Sequence, residues 1–166
     1  MNLLEKFKKI TTFIFDVDGV FTNNHILVTE DGQLLRSMNT RDGLAVKKAI
    51  EMGYNIAIIT GGNSKGVNIR FNNLGINHIY SGVNNKKEAF YDLIELLGIQ
   101  PDEILYMGDD ILDVPVMRLV ELPTCPNDAI PEVHEISTYI SPLKGGDGCV
   151  RDVIEKVLKL QNKWFA

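Results

Sequence analysis

Short apolar runs alternate with longer segments of helical periodicity along this chain. The apolar runs, rich in β-branched and aromatic residues, predict strands at residues 10–15, 55–60, 78–80, 104–107 and 138–140. Between them, apolar residues recur at helical spacing, most clearly over residues 87–97 and 150–160. Strands that alternate with helices are typical of a parallel sheet covered by helices. The pattern therefore predicts an α/β fold with a doubly wound, mainly parallel, Rossmann-like sheet.

One stretch, at about residues 20–40, interrupts this alternation. Short segments at 26–28 (Ile-Leu-Val) and 33–35 (Gln-Leu-Leu) flank an Asp31-Gly32 pair, and such a pair between two short strands predicts a β-hairpin. The hairpin would be an insertion directly after the first strand. No repeat, low-complexity segment or linker divides the chain, so we expect residues 1–166 to form a single domain.

Composition and charge exclude several classes of protein. With 166 residues, of which 45% are hydrophobic and 23% charged, the chain matches a globular domain rather than a disordered or fibrous protein. Its 17 Lys and Arg against 22 Asp and Glu give a net charge of −5, which argues against nucleic-acid and acidic-membrane partners. No apolar run reaches the ~18 residues of a membrane span, and residues 1–9 lack signal-peptide features, so we expect a cytoplasmic protein.

The two cysteines and three histidines offer no metal-binding pattern. Cys125 and Cys149 lie outside any CxxC spacing, so neither a disulfide framework nor a zinc site is indicated. We expect both to be buried thiols.

Polar residues follow several of the predicted strands at the points where the strands end. Asp16 follows the first strand, Thr60 ends the second, and Asp109 and Asp110 come just after the fourth. Ligands of open α/β sheets bind beyond the carboxyl ends of the strands. We therefore expect these side chains to converge on one crevice.

Two of these segments point to a cation and an anion. Asp16 and Asp18 are two carboxylates at i, i+2 spacing, which repel one another unless one is protonated or both share a cation. An Asp-rich turn that ends the strand is the alternative. The segment Thr60-Gly61-Gly62 presents a hydroxyl and backbone N–H groups to an anion, unless Thr60 is simply an N-cap.

The remaining two segments extend the same chemistry. Lys86 opens a predicted helix, where the positive end of the helix dipole disfavours a cation unless an anion lies nearby. Asp109, Asp110 and Asp113 place three carboxylates within five residues. Carboxylates and phosphate oxygens are the ligands that Mg²⁺ prefers. Helix capping by Asp110 is compatible with that role.

The order DxDG, TG, K, GDD resembles the haloacid dehalogenase superfamily of phosphatases. More narrowly, the segments 16–22, 41–43, 86, 108–117 and 145–148 resemble those of the 3-deoxy-D-manno-octulosonate 8-phosphate (KDO 8-phosphate) phosphatases. The resemblance covers most of the chain and includes the short length and the hairpin insertion.

The resemblance implies Mg²⁺-dependent hydrolysis of a phosphomonoester through an aspartyl-phosphate. Asp16 would be the nucleophile and Asp18 the general acid and then base. Mg²⁺ would be bound by the carboxylates of Asp16 and Asp109 and the backbone carbonyl of Asp18, with Co²⁺ or Mn²⁺ as alternative ions.

Further residues are implied in support. Thr60, Gly61 and Lys86 would bind the phosphoryl oxygens. Asp110 is expected to orient Lys86 or the metal-bound waters, and Asp113 to support the site from behind.

One position departs from the family pattern. Many relatives carry Arg after the Thr-Gly pair, where this sequence has Gly62. An arginine there would supply a cationic fork to the substrate. We expect Lys65, Arg70 or Arg41 to compensate.

The chain has no room for the cap domain that covers the active site in larger relatives. The resemblance instead implies a homotetramer in which the hairpins assemble and a neighbouring chain completes each active site. Residues 143–148 would be a loop that reaches an active site, or else a turn before the last helix with Asp147 as its N-cap.

The substrate implied by the resemblance is a small anionic sugar phosphate, KDO 8-phosphate, hydrolysed during synthesis of lipopolysaccharide precursors. A nine-carbon 2-keto sugar acid 9-phosphate, of the KDN or N-acetylneuraminate type, is the alternative substrate. From other classes, a non-hydrolytic phospho-receiver or a catalytically silent assembly module remains open.

Overall fold

A computed structural model describes residues 1–166, and its centre is a parallel sheet of six strands. The strands of this sheet are β1 (Thr12–Phe15), β4 (Asn55–Ile59), β5 (His78–Tyr80), β6 (Ile104–Met107), β7 (Leu122–Cys125) and β8 (Tyr139–Ile140). Their spatial order is β5-β4-β1-β6-β7-β8, and every adjacent pair is parallel.

Seven α-helices and two 3₁₀ turns lie before, between and after the strands along the chain. The α-helices are α1 (Leu3–Lys9), α2 (Thr40–Glu51), α3 (Lys65–Leu74), α4 (Lys86–Leu97), α5 (Val114–Met117), α6 (Pro131–Ile136) and α7 (Cys149–Leu160). The 3₁₀ turns span Pro101–Glu103 and Ile111–Asp113. None of the helices is both long and apolar enough to cross a bilayer.

Hydrophobic cores lie on both faces of the sheet. Phe13 and Phe15 of β1 point into a core shared with α1, α2, α3 and α7, while Ile14 points into a second core shared with α4, α5 and α6. Successive strand residues face opposite sides, and both sides are covered here, so the central strands are apolar throughout. The doubly wound α/β fold inferred from the sequence is thus confirmed.

One strand of the sheet was not predicted from the sequence. β7 contains Pro123, and a proline within a short run argues against a strand because it cannot donate to the ladder. Tertiary packing outweighs this local signal, since all four β7 residues are buried between β6 and β8. The predicted first strand is also shorter than expected and starts at Thr12.

The predicted hairpin is present as an insertion after β1, and no cap domain accompanies it. Its strands, β2 (Leu27–Val28) and β3 (Leu34–Leu35), pair antiparallel and are shorter than the sequence indicates. Gly32 takes a φ of 84° in the connecting turn. The hairpin's apolar side chains are exposed, Leu27 by as much as 67%. Cys125 and Cys149 are free and buried, as expected.

Candidate active site

Three central strands deliver the polar residues to one edge of the sheet. β1 lies between β4 and β6, and Phe15 is level with Ile58 and Met107. The chain segments that follow these strands therefore emerge side by side. Asp16, Thr60 and Asp109 come from these segments, and all three are buried.

Asp16 lies at the centre of this edge, held in one orientation. Its Oδ1 accepts the backbone N–H of Val17 at 2.7 Å, and its Oδ2 lies 3.1 Å from the Lys86 ammonium. Lys86 opens α4, and its side chain is only 6% exposed. The anion expected beside this lysine is thus present in the structure.

Asp113, behind the crevice, is the hub of a buried polar network. Its Oδ1 accepts hydrogen bonds from Lys86 Nζ at 2.7 Å and from the Tyr106 hydroxyl at 2.6 Å. Its Oδ2 accepts the backbone N–H groups of Asp109 at 3.0 Å and Asp110 at 3.2 Å. All four donors point at one carboxylate, so Asp113 is occupied by protein groups and orients Lys86 from behind.

A cation could be held between two of the neighbouring carboxylates. Oxygens of Asp16, Asp109 and Asp113 lie within 4.8 Å of one another, but those of Asp113 are already paired. Asp109 Oδ1, in contrast, is buried without any hydrogen-bond partner, and such an orphaned oxygen is rare unless an ion or water completes it. The oxygen-only donor set suits a hard divalent cation.

The backbone next to Asp109 is also suited to the binding of a cation. Gly19 has a φ of 85°, and a Cβ there would overlap the carboxylate of Asp109. No backbone N–H donates to the carbonyl of Asp18, so that oxygen remains available to a ligand. The groups expected to bind a metal, from Asp16, Asp18 and Asp109, therefore fit a divalent ion.

Burial and mutual repulsion shift the proton affinities of the cluster. Burial, followed by the charge of Asp113, raises the pKa of Asp16 to about 7, although Lys86 acts in the opposite direction. Burial, followed by the charge of Asp16, raises the pKa of Asp109 to about 8. Burial alone would lower the pKa of Lys86, but the charges of Asp16 and Asp113 raise it above its ordinary value. The carboxylates thus lack sufficient positive charge among the protein groups, and a divalent cation would supply it.

The Thr-Gly-Gly segment follows β4 at the same edge. The Thr60 hydroxyl accepts the backbone N–H of Gly62 at 3.2 Å, and Gly61 is exposed at the mouth of the crevice. The N-cap of α3 is Ser64, so the alternative of Thr60 as a helix cap is wrong. Thr60 and Gly61 lie where they could contact a phosphoryl group.

Asp18 stands at the mouth of the crevice, paired with an arginine that the sequence did not indicate. Arg36 Nε lies 2.7 Å from Asp18 Oδ1, and Arg36 Nη2 donates to Asp18 Oδ2 at 3.2 Å. Asp18 is 30% exposed, but the Arg36 side chain only 8%. Only the topology could have indicated this pair. A hairpin inserted after β1 brings the chain back past the segment from which the hairpin started, and that segment contains Asp18.

The other predicted residues lie outside this cluster or act differently. The side chain of Asp110 is exposed and caps the N–H of Ile111 at 2.6 Å, and it does not contact Lys86. Arg41 and Lys65 are exposed. Arg70 lies beside Gly43, where it would meet an added Cβ. None of the three basic residues expected to compensate for Gly62 pairs with the carboxylates.

The glycine-rich segment before α7 packs on the loop that follows β1. A Cβ on Gly145 would overlap the backbone of Gly19, and Gly146 donates its N–H to the Val20 carbonyl at 3.1 Å. Only backbone without side chains can approach this closely. The N-cap of α7 is Gly148 rather than Asp147, so the capping alternative is wrong.

Asp16 is a buried carboxylate that lies between Lys86 and Asp109, and the Oδ1 of Asp109 has no hydrogen-bond partner. Asp18 supplies a further acid at the mouth of the crevice. Such a set of groups can carry out phosphoryl transfer. With the parallel sheet, this arrangement defines the class of haloacid dehalogenase-like hydrolases. The family model of that description matches residues 41–120.

Comparison with known proteins narrows the class. The chain is 39% identical over 162 residues to the 3-deoxy-D-manno-octulosonate 8-phosphate phosphatase KdsC of Escherichia coli K12, covering 98% of this chain and 86% of the relative. The crystal structure of the phosphatase of that name from Yersinia pestis is 37% identical, with a TM-score of 0.95 and coverage of 97% and 87%. The chain therefore belongs to the 3-deoxy-D-manno-octulosonate 8-phosphate phosphatase family, and it is a phosphoric monoester hydrolase.

Two further solved structures bear on the metal and the ligand. The Moraxella catarrhalis phosphatase was solved with a magnesium ion, a phosphate ion and KDO; it is 34% identical, with a TM-score of 0.92 and coverage of 96% and 91%. The Haemophilus influenzae phosphatase was solved in a cobalt-bound form, at 28% identity, a TM-score of 0.91 and coverage of 95% and 92%. Together with the buried carboxylates, these structures support a divalent metal in this family.

Proposed function

We propose that this chain hydrolyses KDO 8-phosphate to KDO and phosphate, with Mg²⁺ and through an aspartyl-phosphate on Asp16, in the synthesis of lipopolysaccharide precursors in the cytoplasm. The observation that carries the proposal is the setting of Asp16, with the Lys86 ammonium 3.1 Å from its Oδ2 and the unpaired Oδ1 of Asp109 in the same cluster. The family membership and the KDO, phosphate and magnesium in the Moraxella structure support the substrate and the ion.

In the first step a carboxylate oxygen of Asp16 attacks phosphorus. The new O–P bond forms as the bond from phosphorus to the sugar oxygen breaks, and Asp18 gives its proton to that oxygen. Lys86 and the Thr60 hydroxyl bind the charge spread over the phosphoryl oxygens. Asp113 holds Lys86 in place from behind.

In the second step Asp18, now ionised, takes a proton from a water molecule that attacks the same phosphorus. The bond between phosphorus and Asp16 breaks, phosphate leaves, and the water proton remains on Asp18 for the next cycle. Asp16 must be ionised to attack, and Lys86 acts in that direction by lowering its pKa. Protein groups alone thus account for each proton and each bond.

The carboxylates of Asp16 and Asp109 and the backbone carbonyl of Asp18 would hold the metal. When bound, Mg²⁺ supplies positive charge that keeps these carboxylates ionised and neutralises the phosphoryl oxygens. Mg²⁺ is proposed because the set contains only hard oxygen donors and because the Moraxella structure holds this ion; Mn²⁺, which the same donors suit, and Co²⁺ are the alternative ions.

Phosphate release from a panel of sugar phosphates, with and without Mg²⁺, tests the proposal. We expect Mg²⁺-dependent turnover with KDO 8-phosphate as the preferred substrate, and its loss in Asp16→Asn. Equal or greater activity on a nine-carbon sugar acid 9-phosphate would change the substrate but keep the class. Stable phosphorylation of Asp16 by acetyl phosphate without turnover would instead favour a phospho-receiver.

We further propose that the chain is a homotetramer whose hairpins assemble, so that neighbouring chains complete each active site. The apolar side chains of β2 and β3 are exposed, and contiguous apolar surface of this kind marks an interaction site. The occupant proposed is a second copy of the same hairpin. Light scattering should give four chains for the wild type and fewer for Leu27→Glu, whereas a monomeric wild type would contradict the proposal.

A further inference from the structure

Arg36 carries its guanidinium from the hairpin into the mouth of the crevice. It follows β3 directly, and its side chain is nine-tenths buried although the hairpin's own apolar side chains are exposed. Its Nε and Nη2 both donate to the carboxylate of Asp18. An arginine fork bound in this way is fixed in direction.

The same guanidinium has a second edge that the protein leaves largely open. A guanidinium carries five N–H donors, and Asp18 accepts two of them. The backbone carbonyl of Leu34 takes one donor of Nη1, at a long 3.4 Å. One N–H on each terminal nitrogen therefore remains free, and the edge between those nitrogens matches a carboxylate in the bidentate geometry that arginine favours.

The space beside this edge exists because residue 62 is glycine. A Cβ on Gly62 would lie 3.4 Å from Arg36 Nη2, 3.5 Å from Asp18 Oδ2 and 3.6 Å from Thr60 Oγ1. The position of this Cβ is thus bordered by the Arg36 guanidinium, by the carboxylate of Asp18, which is the proposed acid and base, and by the Thr60 hydroxyl, which is proposed to bind the phosphoryl group. A cavity of only about 10 Å³, room for a single water molecule, is lined by these groups together with Ser64 and Asn68. Because Asp18 protonates the leaving oxygen in the proposed mechanism, the adjoining part of the substrate would lie just outside this cavity, next to Asp18 and Arg36.

Charge indicates which substrate group the open edge receives. Four carboxylates lie in the crevice or directly behind it, those of Asp16, Asp18, Asp109 and Asp113, and only Lys86 and Arg36 form ion pairs with them. Lys86 lies beside the nucleophile and would bind the phosphoryl end. Arg36 is then the one cation of this cluster left for a second anionic group on the substrate.

We propose that Arg36 is the specificity-determining residue of this chain, binding the carboxylate of the sugar acid with its Nη1–Nη2 edge while its Nε–Nη2 edge holds Asp18. The inference rests on the proposed function, since it requires a substrate that bears both a phosphate and a carboxylate. One guanidinium would then link recognition of the acid to the position of the proton donor.

The test compares KDO 8-phosphate with arabinose 5-phosphate, a sugar phosphate without a carboxylate, in wild type and Arg36→Gln. Any effect through Asp18 is common to both substrates and cancels in the ratio of their kcat/KM values. We expect the ratio to fall at least tenfold, mainly through KM for KDO 8-phosphate, and to be partly restored in Arg36→Lys. Arg118→Gln, at an exposed arginine after α5, is the matched control and should keep the wild-type ratio.

A second variant keeps the test decisive if Arg36→Gln is poorly folded. Gly62→Ala places a Cβ 3.4 Å from Arg36 Nη2 and 3.5 Å from Asp18 Oδ2, which narrows the space in front of the open edge with both partners still present, and it should lower the same ratio. A wild-type ratio in both variants, even with lower activity on both substrates, would overturn the inference alone. A wild-type enzyme that shows no preference for the sugar acid would overturn the proposed function as well.

Discussion

Replacement of Asp113 by asparagine tests the buried network behind the active site. The carboxylate accepts four hydrogen bonds, from Lys86, Tyr106 and two backbone N–H groups. An asparagine has one acceptor oxygen and one NH₂ group. In either orientation, the NH₂ group therefore faces two donors, and two of the four hydrogen bonds are lost.

The size of the effect follows from these contacts. Hydrogen bonds to a charged group contribute about 1.5–3 kcal/mol each, and removing one partner of a buried ion pair costs about 3–5 kcal/mol. Some of this loss is offset because a buried charge is also removed. We expect Asp113→Asn to lower the free energy of unfolding by about 3–5 kcal/mol, a large part of the roughly 5–15 kcal/mol typical of a domain.

Activity should fall with stability because, in either orientation of the amide, Lys86 loses the negative charge that positions it. We expect kcat to drop by about tenfold or more, since misplaced charge at the phosphoryl oxygens stabilises the transition state poorly. Urea denaturation without metal measures the stability, and phosphate release with Mg²⁺ measures the activity.

Asp110→Asn is the matched control, because Asp110 is a neighbouring aspartate with an exposed side chain that only caps a 3₁₀ turn. It should cost about 1 kcal/mol or less. If Asp113→Asn is as stable and as active as this control, the network does not hold Lys86 in place and the reasoning is refuted.

Three further predictions concern backbone space, pH and the metal. Gly19→Ala should abolish metal-dependent activity, because the new Cβ would overlap the Asp109 carboxylate at a φ of 85°; metal titration by calorimetry would show whether binding is lost. Burial raises the pKa of Asp42 to about 6, so the folded protein holds a proton on this carboxyl more tightly than the unfolded chain does. The stability that the protonated Asp42 contributes is therefore present below pH ~4 and is lost as the pH rises through about 6. Asp42→Asn should reduce the difference in unfolding free energy between pH 4 and pH 7 by about 2–3 kcal/mol, and equal pH dependence in urea melts would contradict this. Because burial raises the pKa of Asp16 to about 7 and that of Asp109 to about 8, Mg²⁺ binding should release protons at pH 7 and strengthen as pH rises to about 8, measurable by calorimetry in buffers of different ionisation heat.

Local patterns in the sequence predicted most of the fold, because central strands covered on both sides are continuous apolar runs. The site residues next to strand ends were predictable for a related reason: parallel strands bring Asp16, Thr60 and Asp109 to one edge whatever the loops do. β7 was missed because Pro123 argues against a strand locally, and only burial between two neighbours outweighs it.

The residues that sequence reasoning missed are brought to the site by the tertiary fold. Arg36 reaches Asp18 only because the hairpin turns back over the crevice, and Tyr106 supports Asp113 from inside β6. Neither carries a local motif. The alternatives considered for Gly62, namely Arg41, Lys65 and Arg70, were chosen by charge and sequence proximity, which do not determine where a side chain points.

The packing of Gly145 and Gly146 on the loop after β1 has a consequence for how the enzyme is made. The Gly146 N–H bonds to the Val20 carbonyl, and the Cys149 thiol donates to the same oxygen at 3.2 Å. The loop that follows β1 and carries Asp16 and Asp18 is therefore held by residues that leave the ribosome more than a hundred positions later. Contacts so distant along the chain form late in folding. A nascent chain that already carries Asp16, Asp18 and Asp109 should therefore remain inactive until residues 145–149 have left the ribosome and packed on this loop.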